Sequence, residues 1–227
     1  MNYPRYNQVQ LEKIAYEVVK KYDASLLQQS RYVDVYDVIE KILDVPYDWK
    51  YISPDQSILG ATAFSDGYIW AWPKSQYEDG MLPYKVAVDA GTIIIDSTLT
   101  ESDNRGRENF TVMHEVFHQI LHKEYFTGNE EIHYSYTNEV NSVGHKKLIT
   151  PMDFIEYQAN YCAASFLMPR NVVIEVYDKM YNAEAHQKWR LLYYESLIGK
   201  LAQEFNVSFT AMKNRISYLN INDYSNE

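Results

Sequence analysis

The segment Phe110-Thr-Val-Met-His114-Glu115-Val-Phe-His118-Gln-Ile-Leu-His122 places two histidines four residues apart inside a run whose apolar residues recur at helical spacing. Residues i and i+4 leave a helix on the same face, so this stretch is expected to fold as a helix that aims two imidazoles at one point. A metal ion about 2.0–2.1 Å from each ring nitrogen, the distance zinc adopts, would use that geometry. Glu115 sits one step round the helix, where a carboxylate can reach a water at such an ion without itself being a ligand. The competing reading is two unrelated histidines on a solvated face, and the five-residue pattern alone does not exclude it.

A catalytic zinc takes three protein ligands and keeps a fourth position open. The extended motif that adds a histidine six residues after the second fails here, because Glu124 stands at that position and Leu121 where its glycine would be. The third ligand must then come from another element. Thr150-Pro151-Met152-Asp153 reads as a capping box with proline at the first helical position, and Pro169 after Met168 ends the run. That helix carries Glu156 and Asn160 on one face. Glu156 can complete a two-histidine, one-glutamate set, and Asn160, one turn on, is placed to hydrogen-bond a ligand histidine from behind. His122 lies on the ligand face of the first helix but a further turn, about 6 Å, along the axis, and reads as a structural group or as a partner of a ligand.

Elsewhere the pattern divides the chain into helices, sheet, then helices. Leu11, Ile14, Ala15, Val18, Val19 and Tyr22 are helically spaced, as are Val35, Val38, Ile39, Ile42 and Leu43 after the cap Asp34. Short β-rich runs follow at Ile58 to Phe64, Tyr68 to Trp72, Lys85 to Val88 and Thr92 to Asp96, with turn signals at Ser65-Asp66-Gly67 and Asp89-Ala90-Gly91. They predict a small, largely antiparallel sheet. The polar stretch from Thr127 to Lys147 has no clear period and is expected to loop over the surface. This order makes the fold α+β, with the histidine helix against the sheet and a helical bundle at the C-terminus.

With 227 residues, 46% of them hydrophobic, the chain can bury one substantial core, and residues 1–227 are expected to form a single domain. A lone Cys162 suits a reducing compartment and reads as a buried structural thiol. The first residues lack the apolar run of a secretory signal and no stretch approaches the ~20 apolar residues of a membrane span, so the expected location is the cytoplasm. A net charge of −10 argues against phosphate backbones and anionic membranes as default partners. His133, His145 and His186 sit in polar surroundings and are expected to be solvated.

The chain resembles the ImmA/IrrE-type metallopeptidases, regulatory gluzincin-like zinc proteases of bacteria and their mobile elements. The resemblance lies in Arg107-Glu-Asn-Phe110-Thr111-Val-Met-His114-Glu115-x-x-His118 with His122 following, and in Glu156-Tyr-Gln-Ala159-Asn160-Tyr-Cys-Ala163-Ala164-x-Phe-Leu167-Met168-Pro169. Ile58-Leu59-Gly60 and the stretch from Leu201-Ala202 to Val207-Ser208 add to it. It implies a zincin-like fold, one zinc per chain on His114, His118 and Glu156, Glu115 as general base, and an intracellular regulatory protein, such as a helix-turn-helix repressor, as substrate. One departure stands out: the family usually has glycine directly before the second histidine, and Phe117 here demands a pocket. The group that would stabilise an oxyanion is not marked by any spacing.

From His186 to Asn220 the chain has the pattern of a helix-turn-helix, with Lys188, Arg190, Lys200, Lys213 and Arg215 against Glu195 and Glu204. DNA binding is the second reading of this unit. Phe205, Val207, Phe209, Met212, Ile216 and Leu219 would equally pack it onto the rest of the chain. A third reading, an inactive peptidase fold used only for binding, is opposed by the intact Glu115.

Overall fold

The computed structural model describes residues 3–101, 105–127, 132–136, 148–184 and 190–221. Helix α1 (Gln8–Asp23) begins at a reciprocal cap in which Asn7 Oδ1 accepts from the Gln10 amide and Gln10 Oε1 accepts from the Asn7 amide. Asp34 caps α2 (Val35–Val38), as its position suggested, by accepting from the amides of Tyr36 and Asp37. The expected helix through Leu43 continues only as a wider π-helical turn over Ile39–Leu43. Asp44 adopts left-handed backbone there (φ 52°), and its amide reaches back 2.9 Å to the Ile39 carbonyl.

Four strands form a mixed sheet in the order β1-β5-β2-β6: β1 (Tyr47–Lys50), β2 (Ile58–Ala63), β5 (Ile93–Asp96) and β6 (Ile132–Tyr136). β1 runs parallel to β5, and the other two pairings are antiparallel. β3 (Gly67–Ala71) and β4 (Tyr84–Val88) pair separately as an antiparallel hairpin. The α+β class and the predominance of antiparallel pairing hold, but two strands were not foreseen. β1 was hidden by its polar Asp48 and Lys50. β6 lies inside the stretch expected to loop; its His133 faces a polar site while Ile132 and Tyr134 pack on an apolar cluster, and the segment around it is polar in sequence.

Side-chain alternation splits the sheet between two cores. Ile93 and Ile95 join the main cluster under the helices, while Ala61, Ala63, Ile94 and Ile132 face a smaller cluster with Ile69 and Val88 of the hairpin. After the short α3 (Thr98–Glu101) come α4 (Arg105–Phe126), α5 (Pro151–Leu167), α6 (Arg170–Glu184), α7 (Arg190–Glu204) and α8 (Phe209–Tyr218). The capping box of α5 is present, with Thr150 Oγ1 accepting from the Asp153 amide and Pro151 at the first position. α4 and α5 pack along each other. Phe117 is fully buried in this interface, edge-on to Phe166 at 6.2 Å, so the pocket that its bulk requires exists on the side of α4 that belongs to the main core.

The C-terminal unit does form two helices, α7 and α8, joined by a tight turn at Phe205–Ser208 in which Asn206 has φ 50°. Phe205, Val207, Met212, Ile216 and Leu219 are all buried in the main cluster, and only Phe209 of the six apolar positions is exposed. The turn sits on the start of α4 so closely that a Cβ at Gly106 would lie 2.4 Å from the Val207 carbonyl carbon.

Arg215 corrects the charge reading of this unit. It is 0% exposed, donating to Glu12 through Nη1 and Nη2, to Ser165 Oγ and, through Nε, to the Met168 carbonyl. It cannot meet phosphates or an incoming protein. Lys188 lies outside the described residues, as do His145 and His186. Among the described side chains, Lys200 and Lys213 are the exposed cations of the unit, opposite exposed Glu195 and Glu204, so no positive excess remains.

Candidate metal centre

α4 and α5 bring His114, His118 and Glu156 together, with ligand atoms all within 4.8 Å of one another. His114 Nε2 and His118 Nε2 are 2.8 Å apart, Glu156 Oε2 is 3.2 Å from the first, and Glu156 Oε1 is 3.4 Å from the second. Donor atoms about 2.0–2.1 Å from a tetrahedral ion stand roughly 3.3 Å from each other, so these side chains need only small adjustments to hold one. Both histidines are 0% exposed and Glu156 is 5% exposed.

The hydrogen bonds behind the ligand atoms fix what those atoms present. Asn160 Oδ1 lies 3.0 Å from His114 Nδ1, and a carbonyl oxygen requires that nitrogen to carry the proton. His118 Nδ1 is 3.1 Å from His122 Nδ1, whose Nε2 faces Gln158 Oε1 at 3.5 Å, and Gln158 in turn donates to the Pro4 carbonyl at 2.8 Å. With the chain running from His118 to His122 to Gln158, His118 also carries its proton on Nδ1. Both Nε2 atoms are then bare lone pairs pointing at each other and at a carboxylate whose Oε2 accepts no hydrogen bond. Convergent buried acceptors with no donor among them are a site for a cation.

The electrostatics agree. Burial favours the neutral form of Glu156, but the imidazoles around it outweigh that and hold the carboxyl well below the usual range. Burial drives His118 well below the ordinary imidazole value and His122 to about 3. It acts in the same direction on His114, where the Glu156 carboxylate prevails and raises the value. This cluster, the metal pole of the molecule, calls for one positive charge, which a metal ion would supply without protonating either histidine.

Glu115, beside the ligands and 0% exposed, accepts at Oε2 from Thr62 Oγ1 at 2.7 Å. The strand bearing Thr62 also carries Gly60, where a Cβ would lie 2.5 Å from Glu115 Oε1, so glycine is what lets β2 run this close to α4. Glu115 is thus held on the sheet side of the ligands. Asn160 and His122 both stand directly behind a histidine, where their spacing put them. Cys162 is buried against the Leu11 carbonyl and burial pushes its thiol up, as suits an inert structural group.

Three residues at the pole were not picked out. Thr62 and Gln158 carry no motif. His133, expected to be solvated, is 4% exposed with Nε2 2.7 Å from Glu156 Oε1. Its sequence neighbours are polar, but β6 pairing turns it inward. The alternation Ile132-x-Tyr134-x-Tyr136 was the available signal of a strand.

Among the described residues, no helix is long and apolar enough to cross a membrane. No curated protein matches the chain. A sequence model of the IrrE N-terminal-like domain matches residues 88–217, from the end of β4 into α8, and takes in both helices of the metal pole. Since that match spans more than half of the 227 residues, the chain belongs to the ImmA/IrrE metallopeptidase family.

Proposed function

We propose that the chain is a zinc endopeptidase that cleaves an intracellular regulatory protein, with His114, His118 and Glu156 as ligands and Glu115 as general base. The observation that carries this is the convergence of two bare imidazole nitrogens and an unbonded carboxylate oxygen beside a second, separately held carboxylate. Zinc bound there would act as a Lewis acid on a scissile carbonyl and bring water to a pKa near ~7. The residues do the rest. Asn160 and His122 keep the imidazoles oriented and protonated on Nδ1. Thr62 orients Glu115, which takes the proton of the attacking water and delivers it to the leaving amine.

The resemblance supports a helix-turn-helix repressor as substrate. Among the described side chains, recruitment through the C-terminal unit would use Lys200 and Lys213, since Arg215 is buried. The second reading, DNA recognition by this unit, would likewise be without Arg215.

The test is metal analysis with one substitution. Purified protein should hold close to one zinc per chain, and Glu115→Gln should keep that zinc and the fold while hydrolysis of a helix-turn-helix repressor falls by about 10²–10⁴-fold. Absence of bound zinc, or cleavage by Glu115→Gln at the wild-type rate, would sink the assignment. Equal cleavage of an unrelated soluble protein would sink the regulatory substrate.

A further inference from the structure

Glu156 has two oxygens and a metal pole needs one of them aimed at the ion. We propose that His133 is the positioning residue for this carboxylate: its Nε2–H donates to Oε1 and leaves Oε2 for the metal. The inference rests on the zinc reading above and deepens it.

The 2.7 Å separation of His133 Nε2 from Glu156 Oε1 is that of a charge-assisted hydrogen bond. Oε1 also lies 3.4 Å from His118 Nε2, but it is the oxygen engaged by His133, whereas Oε2 accepts no hydrogen bond and lies 3.2 Å from His114 Nε2. The sheet delivers the imidazole to this spot. His133 pairs with Thr62 across β6 and β2, and cross-strand partners project from the same face. Thr62 holds Glu115 and His133 holds Glu156, so one rung of the sheet grips both carboxylates of the pole. The residue on the next rung, Ile132, points the other way into the hairpin cluster.

The ring is also clamped. It stacks on Phe126 at 4.8 Å and 27° and meets His118 at 4.7 Å and 59°. A rotamer change would cost this stacking and leave a buried imidazole without its carboxylate. A ligand held from behind in this way loses about 10–100-fold in metal affinity when its partner is removed.

The experiment compares zinc affinity, by competition with a chromophoric chelator, in the wild type, His133→Phe, His133→Gln and Thr62→Val, together with the melting temperature of each apoprotein and the absorption bands of each Co²⁺-loaded form. His133→Phe keeps the ring but not the donor, and should bind zinc about 10–100-fold more weakly with apo melting near the wild type. His133→Gln restores an N–H donor and should recover most of the loss. Thr62→Val alters the same rung on the side of Glu115 and should leave affinity unchanged. Equal affinity in wild type and His133→Phe overturns the inference alone, whereas a wild type without zinc affinity overturns the metal reading beneath it. Equal losses in Thr62→Val and His133→Phe would assign the effect to the sheet. A change of Co²⁺ bands in His133→Phe to those of a smaller ligand set would make His133 a ligand instead.

Discussion

Helix α5 takes part in two buried polar clusters, one near each end, and they differ in a way that separates structure from function. Toward its C-terminus, Ser165 and the Met168 carbonyl join Glu12 around Arg215, and there one cation meets one carboxylate with every guanidinium nitrogen engaged. Toward its N-terminus, Glu156 and Asn160 face His114 and His118, and there acceptors outnumber donors, with Glu156 Oε2 left without a hydrogen bond. The first cluster is complete as it stands and ties α1, α5 and α8 together. The second would be completed by a cation, which its three buried ligand-type side chains could hold. A buried polar group that satisfies itself belongs to the architecture, and one that cannot do so points to what is bound.

The sharpest way to break this contrast is to challenge the proposed metal with a chelator. With zinc at about 1,000 times its dissociation constant, linkage predicts roughly 4 kcal/mol of stabilisation, which scanning calorimetry should show as a large fall in melting temperature when a strong chelator is added. His118→Ala should melt at nearly the same temperature with and without chelator. If the wild type is also indifferent to chelator, the two clusters are of the same kind.

Glu12→Ala comes next. It leaves the Arg215 guanidinium buried without its carboxylate, at a cost of about 3–5 kcal/mol in urea unfolding, and it should not change zinc content. The joint replacement of Glu12 by Leu and Arg215 by Met should recover most of that loss, since apolar groups of similar volume often serve as well as a buried pair. A double variant as unstable as Glu12→Ala would show that the pair does more than fill its place.

The smallest effect is in pH. Burial works to raise the Glu12 carboxyl, but its bonds to Arg215 outweigh that and the pKa lies below the ordinary value of 4.5. The stabilisation from this pair is therefore fully present above pH 4.5 and is lost as pH falls through the lower, folded-state value. Urea midpoints of the wild type should drop in that window more than those of Glu12→Gln, by a modest amount because the side chain is 25% exposed and partly screened. Parallel curves would show that the ion pair contributes no acid sensitivity.

Much of the pole was legible because its signals are local. His114, Glu115 and His118 lie within five consecutive residues of one helix, the Thr150 cap and Pro151 mark where the Glu156 helix begins, and Asn160 follows Glu156 by one turn. Residues whose neighbours in space are distant in the chain were misjudged or missed. His133 looked solvated because the segment around it is polar, and Thr62 looked like any strand threonine. Arg215 counted as an exposed charge because its partner Glu12 lies 203 residues away.

The sequence by itself determined the α+β order, the helix that aims two imidazoles at a point and the carboxylate that answers them, since helical period and capping act over a few residues. Only the tertiary structure decided that a sixth strand turns His133 onto Glu156, that Gly60 lets β2 approach Glu115, and that the arginine of the C-terminal unit is sealed inside. Sheet register and burial are properties of distant segments brought together, and a shift of one residue along β6 would turn His133 to the opposite face.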